Sequence, residues 1–290
     1  MKQICRMTQT GLKKTLTKFL HNNYKTIYQN KSYVIAEGDI PVILVAHMDT
    51  VFNRLPEEIY YDEIEKVMWS PQGLGADDRA GIYAILQIIN KGYRPSIIFT
   101  TDEEIGCVGA SNLVKDFRDC PFKELKYIIQ LDRRGKNDCV FYNCDNKDFV
   151  KYVEKFGFKE SWGSFSDISM IAPAWGVAAV NLSIGYEDEH DQIERLFVKN
   201  MEKTIKKVTK MLDDIDLAPS FTYIEKKYTY NYYGKYKGQT KRICDWCGNP
   251  GPDVRNQIHF GRTVETVCDL CFNSYMQWNI PCINDSPQDE

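Results

Sequence analysis

The chain is poor in histidine, with four in 290 residues, so each one stands out against its surroundings. No apolar run approaches the ~20 residues that a bilayer-spanning helix needs. The opening residues, MKQICRMTQTGLKK, carry charge but no apolar core, so no secretory signal is expected. There is no internal repeat, and the only biased tract is tyrosine-rich, near residues 223–236. A large excess of either charge is missing too: the net charge of −3 marks no obvious polyanion binder. That balance is uneven, because residues 221–242 hold six Lys/Arg against one Glu, a local +5 that leaves −8 elsewhere.

Cysteine, in contrast, is plentiful at ten residues. Four lie in two Cys-x-x-Cys pairs near the C-terminus, and six (Cys5, Cys107, Cys120, Cys139, Cys144, Cys282) are scattered through ordinary segments. Without a signal, this usage reads as a metal site in a reducing compartment, not a disulfide scaffold. A cytoplasmic protein with no membrane partner is expected.

Apolar periodicity predicts helices over 12–22, 78–91, 109–117, 147–156 and 194–214. Strands are predicted over 32–36, 41–46, 95–101, 126–132, 139–143 and 177–184, with a polar hairpin around 60–70. Strands alternating with helices, several of them apolar throughout, give an α/β fold: a mixed, mostly parallel sheet between helix layers. Residues 1–217 are read as this domain, 218–240 as a basic Tyr-rich linker or arm, 241–282 as a small second unit and 283–290 as a polar tail.

In sheets of this kind, ligands bind beyond the carboxyl ends of the strands. Polar residues collect there. PVILVA is followed by His47 and Asp49, PSIIFTTD by Glu103 and Glu104, and YIIQL by Asp132. VAAVNLSIGYEDE runs into His190, and GLGADDRAG opens a helix with Asp77 and Asp78. Imidazole and carboxylate together suit zinc, cobalt or manganese. His47 and Asp49, two apart, point the same way, so the carboxylate can orient the ring. Of the paired glutamates, one can bind metal while its neighbour takes a proton. Asp78 reads as a first-turn helix cap.

The order His47-x-Asp49, Gly75-Ala76-Asp77-Asp78-Arg79-Ala80-Gly81, Glu103-Glu104-x-Gly106, Asp132, His190 resembles the di-zinc exopeptidase superfamily. That group contains aminopeptidases, peptidase T, carboxypeptidase G type enzymes and acyl-amino-acid deacylases. The resemblance covers roughly 30–212. It implies that Asp77 bridges two divalent metals, with His47 and Asp132 completing one and Glu104 and His190 the other. It implies that Glu103 is the general base toward a metal-bridging water, and that Asp49 supports His47. The substrate would be a peptide or an N-acyl small molecule.

Only 57 residues separate Asp132 from His190, which leaves no room for the lid domain of the carboxypeptidase G and peptidase T types. The lid's oxyanion role therefore does not carry over; Tyr186, Arg133 and Arg134 are candidates for it. The segment GSFSDIS, with Ser166 and Asp167, is expected to line the substrate pocket.

Cys244-x2-Cys247 and Cys268-x2-Cys271 lie 20 residues apart, a spacing that holds one structural zinc in a zinc ribbon or treble-clef unit. A unit this small needs such a staple. Ribbons serve as nucleic-acid or protein modules or as caps. The basic arm offers lysines for a phosphate backbone and rings for stacking. Residues 243–272 hold two arginines and no lysine, which favours an arm packed by its tyrosines. The competing reading of another class is a nucleic-acid- or protein-binding module with a vestigial metal centre.

Overall fold

Strands that are apolar throughout need cover on both faces, and the fold supplies it. The computed structural model describes residues 1–226, 244–245, 256–260 and 263–267. The chain divides into two compact units, Met1–Lys227 and Tyr228–Glu290.

In chain order, α1 (Lys2–Cys5) leads into α2 (Gln9–His21), then β1 (Thr26–Gln29), β2 (Tyr33–Glu37) and β3 (Ile40–His47). A hairpin of β4 (Tyr60–Asp62) and β5 (Val67–Trp69) precedes α3 (Ala76–Asn90) and β6 (Pro95–Thr100). Next come α4 (Val108–Asp116), β7 (Tyr127–Arg133), β8 (Asp138–Val140) and α5 (Lys147–Glu154). The unit closes with β9 (Lys159–Glu160), α6 (Asp167–Trp175), β10 (Ala179–Ser183), β11 (Tyr186–Glu187), β12 (Arg195–Phe197) and α7 (Val198–Asp213).

The central sheet has eight strands in the order β1-β2-β6-β3-β7-β10-β8-β9. It is mixed and mostly parallel: β3 runs parallel to β6 and β7, and β10 parallel to β7. Val42, Leu44 and Ala46 of β3 enter a core shared with α2, α3, α5 and α7. Ile43 and Val45, pointing the other way, pack with α4 and α6. Neither face of β3 meets water, so its sequence shows no polar alternation. Truncating a core residue such as Leu44 to Ala should cost about 2–5 kcal/mol. On α2, Leu12, Leu16 and Leu20 recur every fourth residue on the buried side, and the Thr8 hydroxyl caps the helix by accepting from the Gly11 N–H.

Three segments differ from expectation. Residues 194–197 were expected in the last helix, but Arg195–Phe197 forms β12, paired with β5 in a second, four-stranded sheet, and the helix starts at Val198. Residues 167–175 form α6, which the sequence does not advertise because Pro173 interrupts the helical pattern. Residues 218–226, expected in the arm, pack within the first unit. Phe221 is buried with its ring 4.9 Å from Phe149, and its backbone bonds Lys126 and Ala178. An aromatic cluster with Tyr127 and Tyr152 holds it there.

In the second unit, β13 (Asn256–Phe260) and β14 (Thr263–Val267) pair antiparallel, with Phe260 opposite Thr263. The Asp245 carboxylate accepts from the Thr266 N–H at 2.6 Å. Of the four cysteines expected to hold a structural zinc, Cys244 is buried, and Cys247, Cys268 and Cys271 lie outside the described residues. The remainder of the arm and the tail lie outside them as well. Among the described residues, no helix is long and apolar enough to cross a membrane.

Candidate metal centre

The carboxyl ends of β3, β6 and β7 meet at one edge of the sheet, and each delivers polar side chains there. His47 ends β3, the Glu103–Glu104 turn follows β6, and Asp132 sits in the last turns of β7. His190 arrives from the loop after β11. Asp77 lies where α3 begins, in a stretch whose backbone is not yet helical, after Gly75 with φ 64°. That left-handed turn suits glycine. Gly81 lets the helix approach β7 closely: a Cβ there would meet the Leu131 carbonyl at 2.1 Å.

The bridging geometry centres on Asp77. Its Oδ1 lies 3.2 Å from His47 Nε2, and its Oδ2 lies 3.3 Å from His190 Nε2. Asp132 Oδ1 stands 3.6 Å from the same His47 nitrogen. Glu104 Oε2 stands 2.9 Å from the same His190 nitrogen. One carboxylate thus faces two imidazoles, and each imidazole has a further carboxylate of its own. Glu103 Oε2 is 4.0 Å from His47 Nε2. His47, Asp77 and Glu104 offer ligand atoms all within 4.8 Å of one another, and so do His47, Asp78 and Asp132. The second grouping is weaker, because both Asp78 oxygens already accept backbone N–H groups, from His47 at 3.3 Å and Gly81 at 3.0 Å.

A ring of buried groups holds these donors. Asp49 Oδ1 is 3.2 Å from His47 Nδ1. Its two oxygens also accept the N–H groups of Glu103 and Glu104, at 3.1 and 3.0 Å. One carboxylate therefore fixes both the imidazole and the glutamate turn. Burial opposes its charge, but these bonds hold the Asp49 pKa below the ordinary carboxylate value. Glu194, fully buried, accepts from the N–H groups of Ala76 and Asp77 at 2.9 and 3.0 Å. It presents the bridging aspartate. Nothing in the acidic run YEDEHDQIE distinguishes Glu194 from its exposed neighbours, so the sequence conceals it.

Three expected pocket residues belong to this buried ring and not to an open wall. Tyr186 donates its hydroxyl to Asp132 Oδ1 at 3.0 Å, and Ser166 donates to Asp132 Oδ2 at 2.8 Å. Asp167, at 0% exposure, accepts from the Thr100 hydroxyl. A buried carboxylate such as Asp132 needs donors, and the Tyr186 and Ser166 hydroxyls supply them. Arg133 donates to the Trp162 carbonyl at 2.9 Å, and Arg134 pairs with Glu189 at 3.0 Å on the surface.

The cluster is short of positive charge. Burial, then the charges of Asp132, Asp167 and Glu104, push the Glu103 carboxyl up to about 9, with His47 pulling the other way. For His190, burial works against the charged ring, but Asp77 and Glu104 override it and lift the pKa to about 11. Glu104 Oε1 is buried with no hydrogen-bond partner. Crowded carboxylates, two imidazoles and an orphaned oxygen are what divalent cations would satisfy.

Comparison with known proteins gives a family match and a shared fold. Residues 26–181 match the model of Peptidase family M28. Among solved structures, aminopeptidase PepT from Bacillus cereus ATCC 10987 superposes with a TM-score of 0.61 at 16% identity, covering 74% of this chain and 96% of its own. A tripeptidase from Staphylococcus aureus gives 0.60 at 14% identity, covering 74% and 96%. An aminopeptidase from the archaeon Desulfurococcus kamchatkensis gives 0.57 at 12%, covering 76% and 94%. None of the curated proteins compared with the chain matches it in sequence. The family match spans more than half of the chain and includes His47, Asp77, Glu104 and Asp132; the chain belongs to peptidase family M28 and is a metallopeptidase.

Proposed function

We propose that the chain is an aminopeptidase-type exopeptidase working with two divalent metals, zinc first among them. The observation that carries this reading is Asp77, whose two oxygens face His47 and His190 separately. His47, Asp77 and Asp132 would hold one ion, and His190, Asp77 and Glu104 the other. Such a pair, when bound, acidifies a water and polarises an amide carbonyl. The names of the solved relatives, an aminopeptidase PepT, a tripeptidase and an archaeal aminopeptidase, support a peptide substrate.

Glu103 is the proton carrier in this reading. Its carboxyl stands beside the cluster, 4.0 Å from His47 Nε2, and is not itself between the two imidazoles. Bound cations would counter the carboxylate charges that raise its pKa, leaving it ionised to accept a proton. It would then deliver that proton to the leaving amine. Asp49 keeps His47 and the Glu103–Glu104 turn in register, and Glu194 fixes Asp77 through the backbone.

The test uses the full chain loaded in turn with zinc, cobalt and manganese. Peptides with a free N-terminus are compared with N-acylated amino acids. Release of the N-terminal residue, lost in Glu103→Gln, is expected. Hydrolysis confined to the N-acyl compounds would make the protein a deacylase. Full activity in Glu103→Gln would overturn the mechanism.

A further inference from the structure

A second polar feature lies at the same edge of the sheet and has the opposite charge. Residues 1–36 contain seven Lys/Arg and no Asp or Glu, in a chain whose net charge is −3. Several of these cations gather in a groove of about 650 Å³ beside α2. Lys14, Lys18 and His21 lie on one side of the helix, three and four residues apart, away from Leu12, Leu16 and Leu20. Lys31, beyond the end of β1, also lines the groove, and no Asp or Glu does so among the described residues. Lys14, Lys18 and Lys31 are exposed.

The groove is tied to the metal centre. Gln9 and Thr101 form part of its lining. Gln9 donates to the Asp102 carboxylate at 3.0 Å, and Asp102 is the residue before Glu103. β1 is antiparallel to β2 and β2 to β6, so the end of β1 reaches the same edge as the ends of β6 and β3. β1 stands three strands from β3 in the sheet. At roughly 4.8 Å per strand that is about 14 Å, which an extended peptide covers in about four residues.

We infer that this groove is a subsite for the acidic tail of the substrate, binding carboxylates about four residues beyond the scissile amide. The inference rests on the exopeptidase reading above. Lysine ammonium groups are hydrated point charges, suited to carboxylates that arrive in no fixed geometry. Among the described residues His21 is the one ring lining the groove and no Phe, Tyr, Trp or Arg joins it, so successive bases of a single-stranded nucleic acid would lack a stacking platform.

Two peptides sharing the same first residues test this, one neutral throughout and one with glutamates from about the fourth position beyond the cleaved bond. With zinc-loaded full chain at low salt, KM for the acidic peptide should be about fivefold lower. The difference should vanish near 1 M salt, where the Debye length is about 3 Å. The triple variant Lys14→Ala, Lys18→Ala, Lys31→Ala should lose the preference while kcat and the neutral peptide's KM stay unchanged. Equal KM values in the wild type, or a preference that survives in the variant, overturn the subsite. If neither peptide is cleaved, the exopeptidase reading falls. Binding of a labelled acidic peptide then judges the groove alone, and equal affinity in wild type and variant overturns it. A single-stranded oligonucleotide that outcompetes the acidic peptide would reassign the groove to nucleic acid.

Discussion

The metal centre and the lysine groove share one edge of the sheet but treat charge in opposite ways. At the centre, Asp77, Asp78, Asp167 and Glu194 are buried and the Asp132 side chain nearly so, and each is held by named hydrogen bonds or faces an imidazole. In the groove, lysines stand in water with few partners. Buried charge is costly unless compensated, so the centre depends on every neighbour and on cations. Exposed charge costs little and contributes little per group. Changes at the centre should therefore be severe, and changes in the groove mild and sensitive to salt.

The largest effect is expected from Glu103→Gln. Turnover should fall about 10²- to 10⁴-fold while metal content, read by mass spectrometry, is retained. Metal removal comes next. Chelation should lower the unfolding midpoint, because the carboxylates around Asp77 then repel one another; ions present at about 100 times their Kd would stabilise by about 2.7 kcal/mol. A midpoint unmoved by chelation would contradict the assignment of that cluster to cations.

Glu194→Ala should follow closely. It leaves the buried N–H groups of Ala76 and Asp77 without an acceptor, at about 1–3 kcal/mol each. Metal affinity should fall with stability, and Glu194→Gln, which keeps an acceptor oxygen, should restore part of both. A smaller effect concerns Cys5, whose thiol burial pushes up to about 12 from 9.0, with Arg79 opposing the shift. The folded state keeps this thiol neutral, so its contribution is complete below pH 9 and fades as pH climbs toward 12. Cys5→Ala should flatten that alkaline decline in denaturant titrations. Smallest of all, Lys14→Ala should leave stability within about 0.5 kcal/mol. A larger loss would show that the groove is as interdependent as the centre.

His47 illustrates what could be read directly. A histidine closing an apolar strand, with a carboxylate two residues on, can be identified because strand direction places both at the sheet edge. The same logic located Glu103 and Glu104, both just after β6, and Asp132, at the end of β7. Ser166, Asp167 and Tyr186 show where that logic ends. Their nearness to the centre could be anticipated, but whether they face substrate or bond buried neighbours, Asp132 for Ser166 and Tyr186 and Thr100 for Asp167, depends on which way their side chains turn. Residues 194–197 show a second limit. Their apolar spacing suits a helix start, yet pairing with β5, Leu196 opposite Met68, makes Arg195–Phe197 a strand and leaves Glu194 in the loop before it. Pairing between segments so far apart in sequence overrides local preference.

The sequence by itself determined the layering of the fold, the order of the residues proposed to hold metal and the placement of acids at the strand ends. These follow from local patterns: apolar periodicity, strand ends and the spacing of a few polar side chains. Only the tertiary structure decided that Asp77 stands between two imidazoles, that Glu194 holds it from below, and that the lysines of α2 gather in a groove beside Glu103's turn. Those relations join residues from 30 to more than 110 positions apart. They are set by chain packing and hydrogen-bond satisfaction, which no local pattern encodes.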